Sequence, residues 1–119
     1  MNVIKINETV KASEIKERFN ALFPFLKIEF FRKVHKNLQG SFKKDLIKED
    51  FDIVPKDKSV EIVFDENMLV SELEKEFNEK LHLSAQVFRK AGRSWLETTY
   101  TDGWSLRKQN LEGRELSEL

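Results

Sequence analysis

Hydrophobic and polar positions alternate along five short stretches of the chain and recur at helical spacing along two others. Val3-Ile4-Lys5-Ile6 is a β-branched run that stops at Asn7, as a first strand would. Over 25–33, Leu26, Ile28 and Phe30 fall on one side and Lys27, Glu29 and Phe31 on the other, the period of a half-buried strand. Val60, Ile62 and Phe64 alternate with Glu61 and Val63. Leu83, Ala85 and Val87 alternate with Ser84, Gln86 and Phe88, and Ser94, Leu96, Thr98 and Tyr100 with Trp95, Glu97 and Thr99. Between these stretches, Ile15, Phe19, Leu22 and Phe23 share one face of a helix over 9–23, capped by Thr9 or Ser13 and stopped by Pro24. Leu69, Leu73, Phe77 and Leu81 define a second helix that begins between Asn67 and Ser71, with Ser71 and Glu74 at capping-box spacing.

The pattern also predicts how these elements connect. A two-residue turn at Ala91-Gly92 makes 83–100 a hairpin in which Lys90 faces Arg93, Phe88 faces Trp95 and Val87 faces Leu96. Val87 and Leu96 then point at the helices, while Gln86, Phe88, Trp95 and Glu97 share the opposite face. Residues 34–58 lose their period and read as a long connection containing a short helix, from Phe42 and Leu46 at i, i+4. After Thr101-Asp102-Gly103, Ser105 caps a last short helix that Gly113 weakens, leaving 113–119 as a frayed tail. The expected fold is a single α+β domain over 1–119, a ferredoxin-like two-layer sandwich. Its antiparallel sheet of about five strands would carry two main helices on one face and leave the other face open.

Composition narrows the class. The 119 residues include ten phenylalanines, enough to fill one core. Basic and acidic residues balance at 21 each, so no net field draws the chain to polyanions or anionic membranes. The two parts differ mildly: residues 1–60 carry 13 basic and 9 acidic side chains, residues 61–119 carry 8 and 12. The absence of cysteine excludes disulfides, thiolate metal sites and cysteine nucleophiles. The N-terminus alternates where a signal peptide would be continuously apolar, and no window approaches the length of a membrane span, so the expected location is cytoplasmic with no membrane partner.

Catalytic signatures are missing. His35 and His82 stand far apart and in no zinc spacing, and the four glycines form no nucleophile elbow, P-loop or dinucleotide fingerprint. Glu72, Glu74, Glu76 and Glu79 belong to the wet side of a helix. The expectation is a protein that is not an enzyme and holds no cofactor or metal. The sharpest feature is the aromatic trio Phe88, Trp95 and Trp104. If the C-terminal segment folds back, Trp104 and Leu106 cover Phe88 and Trp95 as a second small core. The trio also reads as a protein-binding or homodimer surface, with Gln86, Glu97 and Arg89 as its polar surround, and the two readings can coexist.

Nucleic acid is the alternative partner. Arg32, Lys33, Lys36, Lys43 and Lys44 would attract phosphates, and Phe31 together with Phe88 and Trp95 would stack on bases. Glu29, Glu61 and Glu97 on the same face oppose that reading. A small-molecule pocket between the open sheet face and the 34–58 connection is a third.

Leu83 to Gly92, continued by Trp95-Leu96-Glu97-Thr98-Thr99 and by Thr101 to Leu106 as far as Gln109-Asn110, resembles the C-terminal block of small uncharacterised bacterial proteins. The resemblance implies a bacterial, cytoplasmic origin and the hairpin. It implies no activity and no functional residues.

Overall fold

A computed structural model describes residues 2–35, 42–55 and 57–118. In chain order the described residues form β1 (Asn2–Ile6), β2 (Val10–Lys11), α1 (Ala12–Leu22), β3 (Leu26–His35), β4 (Phe42–Leu46), β5 (Asp52–Ile53) and β6 (Val60–Phe64). These are followed by α2 (Val70–Leu81), β7 (Ser84–Ala91), β8 (Ser94–Glu97) and α3 (Leu106–Ser117). All strand pairs are antiparallel.

The α+β class is as the pattern predicts, but the strands do not join into one ferredoxin-like sheet. Among the described residues, the largest sheet has four strands in the order β4-β3-β7-β8, while β1 pairs only with β6 and β2 only with β5. Period-two alternation reports that a strand buries one face, and it carries no information about which strand lies beside it. The short helix expected inside 34–58 is also absent among the described residues. Phe42 and Leu46 stand at the ends of β4, which pairs with β3 so that Arg32 faces Asp45 and Phe31 faces Leu46. Two apolar residues four apart share a face in a strand as well as in a helix. Residues 36–41 of that connection lie outside the described residues.

Phenylalanine rings tie the layers together. Phe23 and Phe19 of the α1 region meet at 5.3 Å, Phe19 meets Phe64 of β6 at 5.5 Å, and Phe64 meets Phe77 of α2 at 6.4 Å. Phe77 continues to Phe30 of β3 at 5.3 Å, and Phe30 to Phe51 at 5.9 Å. Ile15, Ile28, Ile62, Leu73, Val87 and Leu106 fill the space around them and are fully buried. Such ring pairs add to the burial of their own large apolar areas.

The helix starts depart from the local capping rules. At α1 neither Thr9 nor Ser13 caps; Lys11 is the N-cap, and the Ala12 amide donates to the Phe51 carbonyl at 2.9 Å. The Ser13 amide and hydroxyl donate to the two Asp50 carboxylate oxygens at 3.0 and 2.7 Å, so a residue distant in sequence caps this helix. At α2 the reach-back comes from Glu72, which accepts from the Leu69 amide at 2.8 Å, rather than from a Ser71-Glu74 box. Val70 and Ser71 donate to the carbonyls of Trp104 and Asp102, while Leu106 and Arg107 at the start of α3 donate to those of Met68 and Glu66. Each helix thus caps the other, around a β-bridge between Leu69 and Ser105. Ser105 also accepts from the Lys108 amide, as its position before the helix predicts.

The two helices are local copies of each other. Their buried residues occupy the first, fourth and eighth positions in both: Val70, Leu73 and Phe77 in α2, and Leu106, Gln109 and Gly113 in α3. Residues 113–117 therefore continue α3 instead of fraying, because Gly113 is buried against the rest of the fold.

Two measurements test this account. Phe77→Ala removes the ring that joins β6 to β3 and is expected to cost about 3–5 kcal/mol in urea denaturation. The Ser13 hydroxyl and amide hold the Asp50 carboxyl below its ordinary value. Its contribution is therefore present at neutral pH and is lost as pH falls through that lowered folded-state value. Asp50→Ala is expected to melt at a lower temperature than wild type at pH 7, with the gap closing as the pH is taken down through the carboxylate range.

Candidate functional site

Alternation along β3 and β7 sorts their side chains between two sides of the four-stranded sheet. Leu26, Ile28 and Phe30 of β3 pair across to Arg89, Val87 and Ala85 of β7 and face the helices. Lys27, Glu29, Gln86 and Phe88 take the other side. The hairpin places β8 beside β7, but its turn is centred one residue later than expected. Ala91 pairs with Ser94, Lys90 with Trp95, Arg89 with Leu96 and Phe88 with Glu97. Gly92 takes a φ of 64° and Arg93 stays at negative φ, the pattern of a turn that needs glycine at its first central position. Centring the turn on Ala91-Gly92 would have forced alanine into that region. The register moves by an even number of residues, so Gln86, Phe88, Trp95 and Glu97 still share one face.

That face carries a shallow groove of about 560 Å³ whose walls include Phe88, Trp95, Phe31 and Leu46. The Lys27 ammonium lies across it, 5.4 Å from the Phe88 ring centre and 5.0 Å from that of Trp95. The same ammonium is 4.0 Å from the Glu29 carboxylate, which also accepts from Lys16 at 3.1 Å. Lys48 and Glu97 complete the lining. A cation over two aromatic faces is held by the ring quadrupoles, so it keeps the rings apart from bulk water while presenting charge at the surface. Lys16, Lys27, Lys48 and Leu46 carry no site role in the sequence pattern; the pairing of β3 with β7 and β4 and the approach of α1 bring them here.

Trp104 and Arg89 belong to the other side. Arg89 donates through Nη1 to Gln109 Oε1 at 2.9 Å, its guanidinium carbon lies 5.5 Å from the Trp104 ring centre, and the Lys108 ammonium lies 4.2 Å from that ring. The C-terminal segment therefore does not cover Phe88 and Trp95, and Leu106 enters the main core instead. The reciprocal caps force this outcome, since the Trp104 carbonyl must reach Val70 on the helix side. Fully buried Gln109, which the sequence reading missed, donates at 2.7 Å to both the carbonyl and the hydroxyl of Thr101. Its one sequence signal is position, the fourth place of α3, where α2 has Leu73.

Of the five basic candidates, only Arg32 has a described side chain. Phe31 lines the groove, whereas Arg32 is exposed and donates to the Glu49 carboxylate at 2.9 Å. Lys33 and Lys44 are opposite each other in the β3–β4 pair and Lys43 is opposite Val34; Lys36 lies outside the described residues. His82 closes α2 in the left-handed conformation, at φ 52°. Among the described residues no group of three or more His, Asp or Glu is placed to hold a metal ion, and no helix is long and apolar enough to cross a membrane.

A smaller cavity of about 250 Å³ lies between β1 and the end of α1, lined by Val3, Leu22 and Phe64, with Arg18 engaged by Glu14 at 3.1 Å. It carries no reactive group. No protein-family model matches this chain, and no curated protein or solved structure matches it.

Gly113 sets how closely α3 approaches the sheet. A Cβ there would stand 3.0 Å from both the Cβ and the carbonyl oxygen of Phe25 and 3.1 Å from Cγ of Arg89. Glycine to alanine inside a helix ordinarily gains about 1 kcal/mol. Here overpacking against a backbone carbonyl reverses the sign, so Gly113→Ala is expected to lose about 1–3 kcal/mol in denaturant unfolding.

Proposed function

We propose that this α+β domain is a non-enzymatic contact module of the bacterial cytoplasm that binds another protein surface through the open face of its four-stranded sheet. The observation that carries the reading is the seat of Lys27 across Phe88 and Trp95, beside Glu29 and opposite Glu97. The helices pack on the other side of the sheet, which leaves these aromatic walls half-buried on the open side. Aromatic anchors with a mixed polar surround are what protein interfaces select.

Charge decides between protein and nucleic acid. The groove holds Lys16, Lys27 and Lys48 but also Glu29 and Glu97, and Glu29 already engages two of those cations. A polyanion gains little from cations so engaged and is repelled by the second carboxylate, whereas a protein surface brings charges of both signs. Phe88, Trp95, Gln86 and Glu97 are the contact residues in this reading. Arg89 and Trp104 act from behind the sheet by holding α3 in place. The cellular setting is the one that the resemblance of the C-terminal block to small bacterial proteins implies.

A photo-crosslinking amino acid placed at Gln86, with Glu115 on the exposed side of α3 as control, tests the face inside cells. The expected result is a nuclease-resistant protein adduct from position 86 that Trp95→Ala removes and position 115 never forms. A nuclease-sensitive adduct that fades with added salt would transfer the function to nucleic acid and to Arg32, Lys33, Lys43 and Lys44. Equal labelling at 86 and 115, or none at either, would overturn the reading.

A further inference from the structure

A strand at the rim of a sheet offers a row of unpaired amides and carbonyls, which proteins ordinarily block with charge, proline or a covering segment. Most rims of this fold are blocked. On β6 the Glu61 carbonyl accepts from the Lys80 ammonium at 2.8 Å and the Val63 amide donates to Glu76 at 3.4 Å. On β3 the Leu26 carbonyl accepts from the Asn20 amide at 2.9 Å and the Phe30 carbonyl from Ile47 at 2.9 Å. The rim strand β4 carries Lys43, Lys44 and Asp45, and β1 carries Lys5, which faces Glu61.

β8 is different. Its sequence Ser94-Trp95-Leu96-Glu97 contains no lysine, arginine or proline. Beyond its ladder with β7, no backbone hydrogen bond leaves it among the described residues. Leu96 is 44% exposed, and Tyr100 just beyond the strand is fully exposed. Arg93 and Glu97 flank Trp95 on either side along the chain, and neither forms an ion pair or a side-chain hydrogen bond among the described residues.

We propose that β8 pairs antiparallel with β8 of a second copy of this chain, about a twofold axis at Trp95. A twofold between antiparallel strands must centre on a residue if the same faces of both sheets are to point the same way, because side chains alternate. Centring on Trp95 sets each Arg93 opposite Glu97 of the other copy, Ser94 opposite Leu96, and the two Trp95 rings side by side. Centring on Leu96 would set Trp95 against a carboxylate and leave Arg93 without a partner. The Trp95 register satisfies both unpaired charges twice over and adds an aromatic cross-strand pair. The product is one continuous eight-stranded sheet whose two grooves lie on a single face. This assignment rests on the contact reading above in so far as Trp95 and Glu97 belong to both groove and seam, and it names the first partner as the chain itself.

The test is the mass in solution by light scattering across concentration, for wild type, Arg93→Glu, Glu97→Arg and the double swap, with circular dichroism confirming that each is folded. Wild type is expected at twice the 14.1 kDa chain mass, each single swap at the chain mass, and the double swap at the dimer mass again. The cysteine-free chain allows a second measurement: Trp95→Cys should oxidise to a disulfide-linked dimer, while Leu96→Cys and Glu115→Cys should not. A wild type that stays at the chain mass at every concentration, or a dimer that both single swaps leave intact, overturns the seam. If the seam fails while Gln86 still cross-links to a different protein, the contact face stands without it. If the swaps behave as expected while Gln86 forms no adduct, the seam stands and the face reading falls.

Discussion

The structure depends on the exchange of backbone hydrogen bonds between the starts of α2 and α3. The first amides of any helix have no partner inside it, and local side chains usually supply one. Here Val70 and Ser71 find the carbonyls of Trp104 and Asp102, and Leu106 and Arg107 find those of Met68 and Glu66. Each bond contributes about 0.5–1.5 kcal/mol net, and breaking one would bury an unpaired group at a larger cost. The exchange fixes the separation and direction of two helices that belong to different parts of the chain. It also explains why Leu69, an apolar residue, can stand as an N-cap.

Once those two starts are locked together, the sides of the sheet are assigned. α3 must lie on the same side as α2, so Trp104, Arg89 and Gln109 form their cluster there and not over Phe88 and Trp95. Gly113 lets α3 approach Phe25 closely enough for the Asn110 side chain to accept from the Phe25 amide at 2.9 Å. With the helices gathered on one side, the other is left to Lys27, Glu29, Phe31, Phe88 and Trp95. The proposed contact surface is what remains after the helices have been placed. Its mixed charge follows from strand alternation, because the residues facing away from an apolar core are the charged ones.

The rim of the sheet follows from the same geometry. At Thr98 the chain leaves the ladder, and its amide and hydroxyl both donate to the Val87 carbonyl, at 3.3 and 2.8 Å. That inward bend ends β8 after four residues and directs the chain through Tyr100 toward α3. A short rim strand is ordinarily safe by virtue of its length. This one places an aromatic residue between two charges of opposite sign, the feature on which the proposed twofold pairing rests.

How the elements form was legible in the sequence, because their causes are local. The spacing of Leu69, Leu73 and Phe77, the alternation of Leu26, Ile28 and Phe30, and Ser105 ahead of Leu106 each reflect interactions within a few residues, and each element begins close to where those patterns place it. The shared face of Phe88 and Trp95 was legible for the same reason, since a hairpin links them through a short turn. What faces what was decided only in three dimensions. That β1 chooses β6, that Asp50 caps α1 across a long stretch of chain, that 42–46 is a strand, and that Trp104 sits behind the sheet all depend on the burial of one shared core. Apolar burial is strong but non-directional, so residue pattern alone does not encode its partners. The directional part, the hydrogen bonds that α2 and α3 trade, comes from backbone groups that every sequence carries, and only their positions in the folded chain decide where they meet.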